Sequence, residues 1–282
     1  MYRRPGDLAE ALDVLARDRP TVLAGGTDVF AARDAGSLDA PVLDLSRLVD
    51  LRAIRGGPAG WRIGALATWS DLAAAALPPG LTCLQQAARE IGGRQIQNRG
   101  TLGGNLCNAS PAADGVPPLL ALDARVELAS GRGTRELAVA EFVLGNRRTA
   151  LAPDELLTAV RVPAASDTAR SVFLKLGHRR YLVISVVMLA AFADVDDADR
   201  VTRIGIAVGA CSAAACRLTA LEQRLLGAPR AALAAELDRL LGDGARAWLS
   251  PLTPIDDVRG TAAYRLEAAT VLLRRAIAEL SA

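Results

Sequence analysis

Two glycine-rich segments hold the residue types best suited to gripping a small anionic molecule. The first is Val22-Leu23-Ala24-Gly25-Gly26-Thr27-Asp28. An apolar run, a glycine turn and a polar restart is the pattern of a strand feeding a helix N-terminus, where uncovered amides and the positive end of the helix dipole attract an anion. The second runs from Ile91 to Asp114 and contains five glycines among several hydroxyl and amide side chains. Within it, Thr101-Leu102-Gly103-Gly104-Asn105 could turn successive backbone amides toward one anion, with the Thr101 hydroxyl and the Asn105 amide as further donors. Phosphate is the anion this chemistry suits. Asp28 is itself anionic, so its N–H is the useful part. Each glycine pair alone is an ordinary tight turn, but two in one chain, the second followed by Asn108, Ser110 and Asp114, are hard to read that way.

Short secondary-structure elements must position these segments. Asp7 is placed to cap a helix over 8–17, with Leu8, Leu12 and Leu15 on one face. A strand over 21–24, a helix from about Val29 and a strand over 42–45 complete a small β-α-β-like unit. The turn cluster 56–60 is the expected seam with the next unit. There a strand over 61–65, a helix capped near Thr68, a second helix over 84–91, a hairpin of 126–129 with 134–137, and a strand over 156–162 give a mixed α+β pattern. Beyond Pro163, strands over 171–176 and 201–210 precede helical patterns at 219–226, 231–241 and 263–280. That order suggests a sheet covered by helices on one face.

Composition narrows the function. The chain has 282 residues, 51% of them hydrophobic, enough for more than one core. Its 33 basic and 31 acidic residues nearly cancel without forming like-charged blocks, so nucleic acid is not expected as a partner. The longest apolar stretch, 181–193, is too short to cross a membrane and reads as buried core. No secretory h-region opens the sequence, so a cytoplasmic location is expected. Four scattered cysteines without a C-x-x-C pair argue against a disulfide framework, and a single histidine, His178, argues against a histidine-based metal site.

The motifs Ala24-Gly25-Gly26-Thr27-Asp28, Thr101-Leu102-Gly103-Gly104-Asn105 and Ala109-Ser110-Pro111-Ala112-Ala113-Asp114 closely resemble those of the FAD-binding (medium) subunits of molybdenum hydroxylases, the xanthine dehydrogenase and carbon monoxide dehydrogenase family. The resemblance continues through Phe173 to Arg180, Ile184 to Val187 and Pro254 to Arg265. It implies an α+β chain: a PCMH-type FAD-binding fold of two subdomains, 1–57 and 58–163, then a C-terminal domain of the CO dehydrogenase flavoprotein type, 168–282. It implies noncovalent FAD contacted by Leu23, Ala24, Gly25, Gly26, Thr27, Asp28, Ile91, Thr101, Gly103, Gly104, Asn105, Cys107, Asn108, Ser110, Asp114, Leu157 and Lys175. The diphosphate would lie between the two glycine segments, Asp114 would meet ribose hydroxyls or other neutral groups, and Lys175 would sit by the flavin. There its charge would favour the reduced anionic ring. Tyr181-Leu182-Val183 would border that ring, Cys107 would be a small buried side chain, and His178 would be structural or on the surface.

No catalytic residue or metal ligand is implied on this chain. The resemblance places substrate oxidation on a large molybdopterin subunit and two [2Fe-2S] clusters on a small one, in a dimer of heterotrimers. NAD+, oxygen or another carrier would be the final acceptor. The wording from Asn105 to Pro111 leans toward purine or N-heterocycle dehydrogenases. The absence of a cysteine-rich insertion argues against the extra [4Fe-4S] cluster of the 4-hydroxybenzoyl-CoA reductase branch. Two other readings stay open: a stand-alone PCMH-type flavin oxidase, which would need its own base beside the flavin, and a nucleotide-binding scaffold with no redox role.

Overall fold

The computed structural model describes residues 1–31, 40–242 and 244–282. Among the described residues, three sheets of three or more strands succeed one another along the chain, with a two-stranded ribbon of Val143–Gly145 and Arg148–Thr149 besides. The first is parallel, with Val42–Asp44 between Tyr2–Arg3 and Thr21–Leu23. The helix Leu8–Asp18 begins at Asp7, whose side chain accepts the Glu10 N–H. Its Ala11, Val14 and Leu15 pack with Leu43, Leu45, Leu48 and Leu51 in a small core of their own. The helix expected from about Val29 is only partly visible. Thr27 to Ala31 form turns, with the Phe30 N–H donating to the Gly26 carbonyl, and residues 32–39 lie outside the described residues.

The second sheet is antiparallel, in the order Ile54–Gly57, Gly60–Gly64, Leu156–Pro163, Arg125–Ser130, Gly133–Ala138. The expected seam at 56–60 is therefore the turn of a hairpin within this sheet. The helices Trp69–Ala74 and Thr82–Glu90 pack beside it, the first opened by a capping box between Thr68 and Asp71. Such a reciprocal cap satisfies two amides that a helix start would otherwise leave bare.

The third sheet, Arg170–Leu176, Val187–Val195, Val201–Gly209 and Cys216–Arg217, is also antiparallel. Its second strand carries no strand signal in the sequence, because residues 187–195 are apolar except for Asp194 and show no alternation. The reason is burial on both faces. Met188, Ala190 and Phe192 enter the core of the middle unit, while Val187, Leu189, Ala191 and Ala193 enter a separate core with the helices Thr219–Leu225, Leu233–Gly242 and Ala262–Ser281. The sheet is thus covered by these helices on one face, as expected, and by the middle unit on the other. No helix among the described residues is long and apolar enough to cross a membrane.

Candidate functional site

The two glycine segments meet. A Cβ on Gly25 would overlap the Arg99 carbonyl, so only glycine lets the first turn lie against the end of the helix Arg94–Arg99. The next residue, Gly26, has φ +77°, and a side chain there would also press on the Phe30 ring at 2.7 Å. Farther along, the Asn108 amide donates to the Asp28 carboxylate at 3.0 Å. The two segments thus form adjoining walls of one cavity of about 750 Å³.

Every residue expected at the site lines this cavity except Leu23 and Lys175. The Leu23 backbone is held in the first sheet, its carbonyl accepting the Leu45 N–H. Lys175 is turned inward as half of a buried ion pair, its Nζ 2.6 Å from Asp114 Oδ2 and 3.2 Å from the Glu90 carbonyl. Ser185 donates to the other Asp114 oxygen at 2.5 Å. Both Asp114 carboxylate oxygens therefore already accept a hydrogen bond from the protein. Burial pushes the Asp114 carboxyl up from its ordinary value, opposed by the neighbouring Lys175 charge.

The source of anion-binding amides is also revised. Thr101 is the N-cap of the helix Leu102–Asn108, and its hydroxyl oxygen accepts the Gly104 N–H at 3.0 Å. Leu102 and Gly103 donate to the Ala67 and Ala65 carbonyls, and Asn105 to that of Thr101. All four amides from Leu102 to Asn105 are spoken for. By contrast, the amides of Ala24, Gly25, Gly26, Thr27 and Asp28 find no acceptor among the described residues. The turn from Ala24 to Asp28, rather than the run from Leu102 to Asn105, offers the bare amides.

A second polar atom awaits a partner. Asn105 Oδ1 is buried without a hydrogen bond on the cavity wall. An orphan acceptor of this kind costs about 1–3 kcal/mol unless a ligand donates to it. Bare amides for an anion and a buried acceptor for a hydroxyl suit a ligand carrying both phosphate and sugar-like hydroxyls. The apolar Ile91, Trp69, Leu151, Leu157 and Ile184 add surface for flat rings.

Several wall residues were missed from sequence. Arg147 is the one cation among the described residues of the wall, which also carries the carboxylates of Asp28, Asp114 and Glu155. Its φ of +54° is pinned by its N–H donating to the Ala109 carbonyl at 2.9 Å. Glu155 is paired bidentately with Arg135, which holds its carboxyl below the usual range. Neither residue stands in a glycine motif, so nothing local marked them. Of the segment expected near a flavin ring, Tyr181, Leu182 and Val183 do not line the cavity, whereas Ile184 does. Cys107 is exposed on the cavity wall rather than buried. His178 is on the surface. The motif near the C-terminus also finds a role: buried Arg265 donates to the Val186 and Ala210 carbonyls and to Asp257, fixing the strand entry just after Ser185.

A cradle between glycine turns, followed by a two-sided sheet, defines a nucleotide-cofactor domain joined to a flavoprotein-type C-terminal domain. Residues 1–165 match the family described as FAD binding domain in molybdopterin dehydrogenase, and residues 172–280 match the CO dehydrogenase flavoprotein C-terminal domain. The chain belongs to this family, as an FAD subunit of the molybdenum hydroxylases. It is 35% identical to the nicotinate dehydrogenase FAD-subunit of Eubacterium barkeri, over 80% of this chain and 79% of that one. It is 31% identical to the carbon monoxide dehydrogenase medium chain of Afipia carboxidovorans, over 98% and 94%. The reconstituted CO dehydrogenase from Oligotropha carboxidovorans superimposes with a TM-score of 0.89 at 27% identity, covering 99% of this chain and 96% of that one.

Proposed function

We propose that this subunit holds FAD in the 750 Å³ cavity and passes electrons from the [2Fe-2S] clusters of a small partner subunit to a final acceptor, while a large molybdopterin subunit oxidises the substrate. The observation that carries the reading is that the five residues from Ala24 to Asp28, whose amides have no acceptor among the described residues, line the same cavity as Asn105, whose buried Oδ1 lacks a hydrogen bond. The amides and Arg147 receive the diphosphate, Asn105 receives a hydroxyl, and Ile91, Leu157 and Ile184 exclude water from the rings. Bound flavin supplies the exchange between one-electron and two-electron carriers. The functional units are taken as 1–57, 58–163 and 168–282, with the strand Ile54–Gly57 reaching from the first into the sheet of the second.

The nicotinate dehydrogenase relative supports an N-heterocyclic substrate on the large subunit. The test is to purify the chain with its partner subunits, record the visible spectrum and identify what acid precipitation releases. FAD released in about equal amount to this chain supports noncovalent binding at this site. Flavin that stays with the precipitate would instead indict exposed Cys107 as an attachment point, and a colourless folded complex would end the proposal. Rapid bleaching of the flavin by NADH would assign NAD+ as acceptor, and inertness to NADH would remove it.

A further inference from the structure

Arg265 lies in the first turn of the helix Ala262–Ser281, with its side chain only 4% exposed. Its Nη1 donates to the Val186 carbonyl at 2.6 Å and to the Ala210 carbonyl at 3.1 Å, and its Nη2 to Asp257 Oδ1 at 2.6 Å. Asp257 is held in turn by the Arg259 N–H at 2.7 Å. Burial strips a guanidinium of its hydration, and here Nε is left without a partner, so filling space does not account for an arginine at this position. What it joins is more telling. The segment from Ser110 to Asp114 lines the cavity through Ser110, Ala112, Ala113 and Asp114. Among the described residues, three hydrogen bonds reach this segment from the C-terminal domain: the Ala210 N–H donates to the Pro111 carbonyl at 3.0 Å, the Ser185 hydroxyl to Asp114 Oδ1 at 2.5 Å and Lys175 Nζ to Asp114 Oδ2 at 2.6 Å. Arg265 is bonded to Ala210 itself and to Val186, the neighbour of Ser185. The Val186 N–H, in its turn, donates to the carbonyl of Leu176, next to Lys175, at 2.8 Å.

We infer, on the reading of the cavity as an FAD site, that Arg265 is a positioning residue for its wall: one guanidinium ties together the residues that grip both ends of the segment Pro111 to Asp114. Ala210 shows the grip most directly. Its φ is +62°, a left-handed conformation that a residue other than glycine keeps only when its surroundings hold it. Those surroundings are Arg265 at its carbonyl and Pro111 at its N–H. A planar fork with five donors can bridge two carbonyls and a carboxylate at fixed angles, whereas a lysine in its place offers one rotating ammonium group and cannot span them. Arg265 touches no atom of the cavity, so it acts on the cofactor only through Ser185 and Ala210.

The test compares the full chain with Arg265→Lys, Ser185→Ala and their combination, and takes Leu273→Ala as a control for stability alone. Leu273 is fully buried in the same helix, packs in the C-terminal core and does not line the cavity. Each chain is unfolded in urea, titrated with FAD by flavin fluorescence, and examined for the visible bands of the bound flavin. Arg265→Lys should weaken FAD about tenfold and shift those bands, while Leu273→Ala loses stability and keeps both. The double variant should lose less than the product of the two single losses, because Ser185 is part of the route. Asp257→Asn, which frees the guanidinium without removing it, should weaken FAD in the same direction and stands in if Arg265→Lys does not fold. Hydrogen exchange at the Ala210 amide of the cofactor-free chain reads the grip without flavin, and it should be faster in Arg265→Lys than in Leu273→Ala. A parent chain that takes up no FAD would sink the cofactor reading alone, and the Ala210 exchange would then decide for or against the role of Arg265 on the wall. FAD affinity within about twofold of the parent in both Arg265→Lys and Asp257→Asn, or an equal loss in Leu273→Ala, would overturn the inference.

Discussion

Arg147 stands on a wall that also carries three carboxylates, yet two of these are neutralised, Asp114 by Lys175 and Glu155 by Arg135. Asp28 has only the Asn108 amide and is exposed. A diphosphate entering this cavity brings further negative charge, so its affinity depends on the bare amides and on the Arg147 guanidinium. Arg147→Gln should therefore weaken FAD binding about tenfold at low salt, the low end of a charge-assisted hydrogen bond at a partly exposed site. Riboflavin, which lacks phosphate, should bind both forms alike. Flavin fluorescence titrated at two salt concentrations reads both effects, and equal losses for FAD and riboflavin would show that Arg147 shapes the wall without meeting phosphate.

At the scale of elements, the strand Leu156–Pro163 has to be held at the centre of the middle sheet, because Leu156 and Leu157 line the cavity. Glu127 on the neighbouring strand fastens three strands together. It accepts Arg62 at 2.6 Å, the Thr158 hydroxyl at 2.9 Å and Arg161 at 3.0 Å. The hydrogen bonds from Arg62, ahead of those from Thr158 and the Arg161 charge, pull its carboxyl down from 4.5 to about 2. A lowered carboxylate stabilises the fold above its unfolded value and loses that contribution as pH falls through the folded one. The window is thus pH 4.5 down to about 2. Glu127→Gln should cost roughly 2 kcal/mol at neutral pH and flatten the acid limb of stability across that window, as urea unfolding at several pH values would reveal. These strands were readable from sequence, since each alternates or ends at a turn cluster. The strand Val187–Val195 was not, because a strand buried on both faces has no period of two. At the site, the glycine turns were legible by composition. Which of them kept its amides free was not, because the acceptors at Ala65 and Ala67 come from another part of the chain.

On the scale of the whole molecule, the Lys175–Asp114 pair lies where the C-terminal sheet meets the FAD-binding unit, beside a core that both share through Phe173, Met188, Ala190 and Phe192. The Lys175 and Asp114 side chains are only 5% and 8% exposed, so removing one partner leaves the other charged and dry. Lys175→Met should destabilise the chain by about 3 kcal/mol or more, whereas joining it with Asp114→Leu should recover most of that loss. Because one core spans the junction, circular dichroism and tryptophan fluorescence should report a single coincident transition in every variant. FAD separates a structural role for Lys175 from a direct one. Ligand at 100 times its dissociation constant adds about 2.7 kcal/mol to stability whatever the starting value. If Lys175 acts through Asp114 and the junction, the double variant retains that increment and its FAD affinity stays within about threefold of the parent. A double variant that regains stability but loses FAD affinity tenfold would instead place the ammonium group on the cofactor itself, with the Asp114 contact as its resting partner.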